Sequence, residues 1–194
     1  MSLHTTIRVF PLAAAALALL SSCGSDVQNE YSQYSAYLSY DPTLTPLAPL
    51  QAAITGSNVF AYVSMPRSET GKSYQLTAQL YGGEAQSVNV TTATAVRVTP
   101  VMGLNNSTGL VIGNSSLQTD NPYVFDRVCP NCYASSRNVK YVLTFKDAQT
   151  LYCSSCKRSY GLLYGGVITA GDSGQKLLRY RAYTTATGGI TISN

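Results

Sequence analysis

The chain has 194 residues, of which 11% are charged, and its formal net charge is +4. A net charge this small does not indicate a nucleic-acid partner. The length suits one domain or two small ones and is sufficient to bury a hydrophobic core. Tyrosine is abundant, with 15 residues, and Trp is absent. Tyr, Thr and Val suit pleated, half-buried surfaces, so the composition indicates an all-β protein.

The first residues have the pattern of an export signal. A short basic region ending at Arg8 precedes an apolar run from Val9 to Leu20. That run is shorter than the roughly 20 residues of a membrane-spanning helix, and the layout is typical of a secretory signal peptide. The sequence Leu-Ser-Ser-Cys, which ends at Cys23, then resembles the lipobox of bacterial lipoproteins. An ordinary signal peptide with an incidental cysteine is the alternative.

The lipobox resemblance implies a location and an anchor. Residues 1–22 would be removed, and Cys23 would become the lipidated N-terminus. The lipid would hold the protein on a membrane of the cell envelope, either the outer membrane or a periplasm-facing membrane. No twin arginine precedes the apolar run, so we expect export as an unfolded chain.

Residues 23–50 are predicted to be a lipidated, Tyr-rich tether. Tyrosine recurs at every third position, at Tyr31, Tyr34, Tyr37 and Tyr40, a spacing that could place four rings near one face of a short helix. We expect this segment to pack onto the domain, and a carbohydrate-binding platform is an alternative. Three prolines between residues 42 and 49 favour an extended chain.

The remaining residues, 51–194, are predicted to form one β domain. Many short segments rich in β-forming residues are separated by turn signals, which indicates an antiparallel β-sandwich or barrel without a long helix. The predicted strands are Asn58–Ser64, Ser73–Tyr81, Val88–Val98, Leu110–Gly113, Tyr123–Val128, Val139–Phe145, Thr150–Tyr152, Tyr160–Leu163, Val167–Thr169, Leu177–Thr184 and Ile190–Ser193. A hairpin turn is predicted at Lys146-Asp147.

Two C-x-x-C pairs provide the strongest chemical signal. Cys129 and Cys132 form CPNC, Cys153 and Cys156 form CSSC, and 20 residues separate the pairs. Two such turns at neighbouring hairpin tips can complete a tetrahedral four-thiolate site, and the spacing fits a zinc ribbon. We therefore predict a zinc-ribbon-like, metal-binding subdomain at about residues 121–165. Disulfides and a redox dithiol are alternatives. Thioredoxin-like exchange, however, requires a pair at a helix N-terminus in a βαβ context, and this region is predicted to be all-β.

The stretch from about Leu110 to Asn194 resembles a Rieske-type domain. The segments that carry the resemblance are Gly109–Gly113, Phe125–Pro130, Leu151–Cys156 with Tyr160 four residues later, Gly165-Gly166, Leu177–Tyr180 and Ile190–Asn194. In that family, C-x-H and C-x-x-H loops hold a [2Fe–2S] cluster. The resemblance implies that Cys129 and Cys153 are the matching Cys ligands.

The chain departs from the Rieske pattern at both His positions. These positions hold Asn131 and Cys156, and the only His of the chain is His4, inside the signal. Arg158 occupies the position of the Ser that follows His-Gly in the family. A cluster with two His and two Cys ligands therefore cannot form.

The four cysteines are compatible with two metal groups. Zinc is the first choice, because it needs only the tetrahedron and because iron–sulfur clusters are normally loaded before export. An all-Cys [2Fe–2S] cluster is the second, with a potential falling towards about −400 mV.

The predicted function is that of a lipid-anchored binding or scaffold protein with a structural metal. A protein partner would dock at the tips of the cysteine loops. Two alternative functions are an electron carrier with an all-Cys [2Fe–2S] cluster and a thiol–disulfide protein. We expect no enzyme activity, because His-based catalysis is excluded in the mature chain and the acids Asp120, Asp126, Asp147 and Asp172 form no evident pair. Lys157 and Arg158 are predicted to be a solvated rim.

Overall fold

A computed structural model describes residues 30–68, 71, 73–90, 101–117 and 121–194. Four features of the sequence analysis lie at least partly outside these residues: the predicted signal peptide, the predicted lipidation site Cys23, Asp120 and much of the predicted strand Val88–Val98. The described part contains thirteen strands and two short helices. In chain order they are β1 Ala36–Tyr40, α1 Ala48–Thr55, β2 Phe60–Ser64, β3 Gln75–Leu80, β4 Gln86–Asn89, β5 Val101–Met102, β6 Leu110–Gly113, β7 Tyr123–Asp126, α2 Pro130–Ser136, β8 Thr144–Asp147, β9 Thr150–Tyr152, β10 Ser159–Gly161, β11 Val167–Ala170, β12 Ala182–Thr184 and β13 Ile190–Ser193.

The strands form three antiparallel sheets, which confirms the predicted β class in its general form. Their orders are β4-β3-β2-β6-β7, β12-β13-β1-β5 and β11-β10-β9-β8. The third sheet begins with the hairpin β8–β9, whose turn falls at Ala148-Gln149 rather than at the predicted Lys146-Asp147.

The five-stranded sheet β4-β3-β2-β6-β7 separates two hydrophobic cores. Its strands β6 and β7 are buried at every position, and alternate residues of a strand point to opposite faces of the sheet. Ile112 and Val124 belong to the first core, which also includes α1 and the sheet containing β1. Val111 and Phe125 belong to the second core, together with Cys129, Cys132 and Cys153. The cysteine loops are therefore attached to the main fold through a continuous apolar core.

Residues 36–50, which were predicted to belong to a tether that packs onto the domain, contribute a strand and the start of a short helix to the fold. Strand β1 lies between β13 and β5, and Tyr40 pairs with Ile190. The tyrosine-rich stretch thus contains a strand instead of the predicted short helix. Tyr40 is buried, and its hydroxyl accepts a hydrogen bond from the backbone N–H of Leu47 over 3.1 Å.

Helix α1 begins inside the proline-containing stretch that was predicted to be extended. Pro49 lies in its first turn, where a missing N–H costs no helical hydrogen bond. Leu50, Ala53 and Ile54 are buried at i, i+3 and i+4 spacing and pack into the first core. The apolar face of the helix therefore outweighs the local preference of the prolines.

Candidate metal centre

The four cysteines of the two C-x-x-C pairs converge on one point. The Sγ atoms of Cys129 and Cys156 are 3.6 Å apart, and those of Cys132 and Cys153 are 3.7 Å apart. All four sulfur atoms lie within 4.8 Å of one another. The cysteines are free thiols, because a disulfide requires an S–S distance of about 2.05 Å. This group is positioned to bind a metal ion.

The first pair is held by the start of helix α2. Cys129 is the N-cap residue, Pro130 is in the first turn, and Cys132 is buried one turn further on. The backbone N–H of Cys129 donates to the carbonyl of Tyr141 over 2.8 Å, and its carbonyl accepts from the N–H of Tyr133. The sequence predicted no helix here, so this part of the all-β expectation is wrong. The cause is the CPNC sequence itself, since Pro is favoured at the first helical position.

The second pair forms the turn between β9 and β10. The N–H of Cys153 donates to the carbonyl of Arg158 over 3.0 Å, and the N–H of Lys157 donates to the carbonyl of Cys153 over 2.9 Å. Lys157 adopts a left-handed conformation with a φ of 61°. These bonds close a tight loop whose exposed tip is Ser154-Ser155. Cys156 is the only member of the four-cysteine group that is not fully buried.

Tyr160 and Asn131 support the site from the scaffold side. The Tyr160 hydroxyl is buried and lies 3.4 Å from the Sγ of Cys129. The Asn131 side-chain amide donates to this hydroxyl over 2.9 Å and to the carbonyl of Gln175 over 2.8 Å. The N–H of Gln175 returns a bond of 2.9 Å to the Asn131 Oδ1. Asn131 therefore links the first cysteine loop to the segment around residue 175.

Burial disfavours negative charge on the thiols of the first loop. Desolvation raises the pKa of Cys129 and of Cys132 above the ordinary thiol value. At Cys156 burial also acts to raise the pKa, but hydrogen bonds from the side chain and backbone of Arg158 and from neighbouring thiols bring it down to about 7. A bound dication would compensate for the desolvated thiolates, because a coordinating thiol is deprotonated outright. The donor set thus fits a thiophilic metal ion.

Arg158 has a structural role beyond the predicted solvated rim. Its Nε donates to the carbonyl of Asp172 and its Nη2 to that of Ser173, both over 2.9 Å. The side chain therefore ties the second cysteine loop to the loop after β11. Only the whole fold reveals these partners, since they are 14 and 15 residues away along the chain.

Asp126 is fully buried, a feature that the sequence did not reveal. Its carboxylate accepts bonds of 2.8 Å from the N–H of Leu104, the N–H of Val128 and the hydroxyl of Tyr180. Burial raises its pKa from 3.8 to about 6 despite these three donors. Asp126 joins the turn after β5 to the strand that leads into Cys129, and therefore positions the first loop.

No protein-family model matches the chain, and neither the curated proteins nor the solved structures provide a significant match. Within the described residues, no helix is both long and apolar enough to cross a membrane.

Proposed function

We propose that this chain is a lipid-anchored protein of the bacterial cell envelope whose Rieske-like β domain holds one zinc ion through Cys129, Cys132, Cys153 and Cys156. The zinc stabilises the two loops, and the protein acts in binding or scaffolding rather than in catalysis. The observation that carries the proposal is the convergence of four sulfur atoms within 4.8 Å.

The sulfur spacing favours one metal ion over a two-iron cluster. With zinc–sulfur bonds of about 2.3 Å, the edge of a regular tetrahedron is about 3.8 Å. The two closest sulfur pairs are 3.6 and 3.7 Å apart, and no pair exceeds 4.8 Å. In a [2Fe–2S] cluster, two irons and their bridging sulfides separate the thiolates of different irons by roughly 5–6 Å. The described group is more compact than that arrangement, which supports the proposal of a single ion.

The burial of the ligands favours a structural role. Cys129, Cys132 and Cys153 are buried, and a complete set of four thiolates leaves no coordination position open for a substrate. Metal binding would add folding free energy directly by joining two loops that are distant in sequence. A protein partner would contact the exposed loop tip at Ser154-Ser155, beside the partly buried Cys156.

The family and the anchor rest on sequence resemblance. Cys129 and Cys153 occupy the Cys positions of the Rieske loops, and Cys23 follows the apolar run as a lipobox cysteine does. Export as an unfolded chain also supports zinc, which can be acquired after translocation.

Metal analysis of the full chain tests the proposal. The protein is expressed with its signal, extracted from membranes in mild detergent without oxygen, and analysed for metals, sulfide and visible absorbance. We expect one zinc per chain and no colour. Two irons with sulfide and a charge-transfer band would contradict the zinc site in favour of an electron carrier. Four oxidised thiols without metal would instead indicate a disulfide-stabilised protein.

Two single-cysteine variants separate the anchor from the metal site. Cys153→Ser should lose the zinc while the lipid and the membrane association remain. Cys23→Ser should lose the lipid mass while the zinc remains. Zinc retained in the first variant, or lipid retained in the second, would contradict the corresponding half of the proposal.

A further inference from the structure

A cavity of about 660 Å³ lies beside the first cysteine loop. Its walls come from residues 31–34, from helix α2 with its C-cap Arg137, and from residues 175–179. The volume is within the usual range for small-molecule sites, roughly 300–1,000 Å³. The metal ligands do not line this cavity, so it is distinct from the four-cysteine group.

The lining of the cavity is cationic and aromatic. Arg137, Lys176 and Arg179 contribute positive charge, and no carboxylate is found among the described lining residues. The one ion pair in the described part of the chain joins Arg179 to Glu30 over 2.9 Å. Even if Glu30 balances Arg179, the cationic side chains of Arg137 and Lys176 leave the cavity positive.

Arg179 supplies a donor that the rest of the described chain does not use. Its side chain is only 11% exposed, and its guanidinium carbon lies 4.5 Å from the ring centroid of Tyr123 and 5.3 Å from that of Tyr31. Its Nε is buried and has no hydrogen-bond partner among the described residues. A buried donor without a partner is costly. Because the Nε atom is itself buried, an anion in the cavity would bond to it only after the Arg179 side chain shifts, and before such a shift the anion is attracted by the positive charge of the guanidinium.

The cysteine loops determine the position of two cavity walls. Helix α2, whose N-cap is Cys129, carries the lining residue Tyr133, and the lining residue Arg137 is its C-cap. Asn131 lies between the first two cysteines and is joined by two hydrogen bonds to the backbone of Gln175, next to Lys176. Displacement of the first loop would therefore move cations on both walls.

We propose that this cavity binds a small organic anion, a molecule that carries a carboxylate or a phosphate, and that metal at the four cysteines holds its walls in place. The second part rests on the proposed zinc site. The tyrosines lining the cavity provide hydroxyls and ring edges for the uncharged part of such a molecule.

Isothermal titration of the full, zinc-loaded chain in detergent tests the anion site. The probes are glucuronate, glucose 6-phosphate and glucose, which share a ring and differ in charge. We expect saturable binding of at least one charged sugar and none of glucose, and the preferred sugar distinguishes carboxylate from phosphate. No binding of either charged sugar, or equal binding of glucose, would overturn the proposal.

Matched charge variants locate the binding. Arg137→Gln combined with Lys176→Gln should weaken binding of the charged sugar at least tenfold, because each lost charged contact removes a strong hydrogen bond. Lys146→Gln removes an exposed cation on β8, which lies outside the cavity lining, and should leave the affinity unchanged. An equal effect of both changes would indicate non-specific attraction and overturn the site.

The link to the metal has its own test. Asn131→Ala keeps all four cysteines but frees the segment around Gln175. With zinc in excess, so that the four-cysteine site stays filled, this variant should bind the charged sugar at least tenfold more weakly. Chelator-stripped wild type should also bind more weakly. Unchanged affinity in both samples would overturn the link. If the wild-type protein contains no zinc yet binds the charged sugar, the proposed zinc site is wrong and the anion site is supported. If it contains zinc but binds no sugar, the zinc site is supported and the anion site is wrong.

Discussion

The buried carboxyl of Asp126 should make the protein less stable as the pH rises from about 4 to about 7.5. Burial raises its pKa from 3.8 to about 6, so folding favours the protonated form. Stability from this group is fully present below pH 3.8 and is lost as the pH rises through about 6. A pKa difference of about 2 corresponds to about 3 kcal/mol, which is an upper bound for the loss. Asp126→Asn removes the titration and should remove this pH dependence.

Urea unfolding across this pH range, with zinc in excess, measures the effect. Taking the difference between wild type and Asp126→Asn cancels the contribution of the thiols that both proteins share. Asp147→Asn, at an exposed carboxyl on β8, controls for net charge. Tyr180→Phe removes one donor to the Asp126 carboxylate, which should raise the pKa of Asp126 further. The loss of stability with rising pH should therefore be larger in this variant than in wild type. Parallel stability curves for wild type and Asp126→Asn would refute the reasoning.

Three further outcomes are expected. Tyr160→Phe removes the hydroxyl beside the Cys129 sulfur and should lower zinc affinity about 10–100-fold at unchanged stoichiometry, as measured by competition with a chromophoric chelator. Gly109→Ala should lower the melting temperature far more than Gly82→Ala. Both glycines have a positive φ, so the backbone strain is similar. A Cβ at Gly109 would lie 2.1 Å from a carbonyl oxygen, whereas a Cβ at Gly82 would meet nothing within 4 Å. Leu50→Ala should cost about 2–5 kcal/mol in urea unfolding, and a loss near zero would restore the tether interpretation.

The sequence predicted those parts of the fold that local patterns determine. Segments such as Leu110–Gly113 are short, apolar and bounded by glycine, and the structure has a buried strand there. The strand and the helix between residues 36 and 55 were not predicted, because their environment is distant in sequence. Strand β1 is stabilised by pairing with β13 at the other end of the chain, which the tyrosine spacing does not indicate. Helix α1 likewise depends on a core that surrounds Leu50.

The candidate site was predictable to the extent that spacing determines it. Two C-x-x-C pairs around a hairpin were sufficient to bring four thiols together. The supporting contacts were not predictable, because Asn131 binds Gln175 and Arg158 binds the backbone near residue 172. Nor does local pattern reveal that Asp126 is buried, since its partners Leu104 and Tyr180 come from separate segments. Long-range polar contacts of this kind require the assembled fold.

The short helix α2 explains how the first C-x-x-C pair directs two thiols to one centre. Residues three apart lie on the same side of a helical turn, so Cys129 at the N-cap and Cys132 one turn later can direct both sulfurs to one centre. Asn131 lies between the two cysteines and bonds to Tyr160 and Gln175. Asn131 therefore links the first cysteine loop to Tyr160 and to the segment around Gln175. A histidine at this position would face Tyr160 and Gln175 in the same way, so we expect Asn131→His to leave the four cysteines as the candidate ligands.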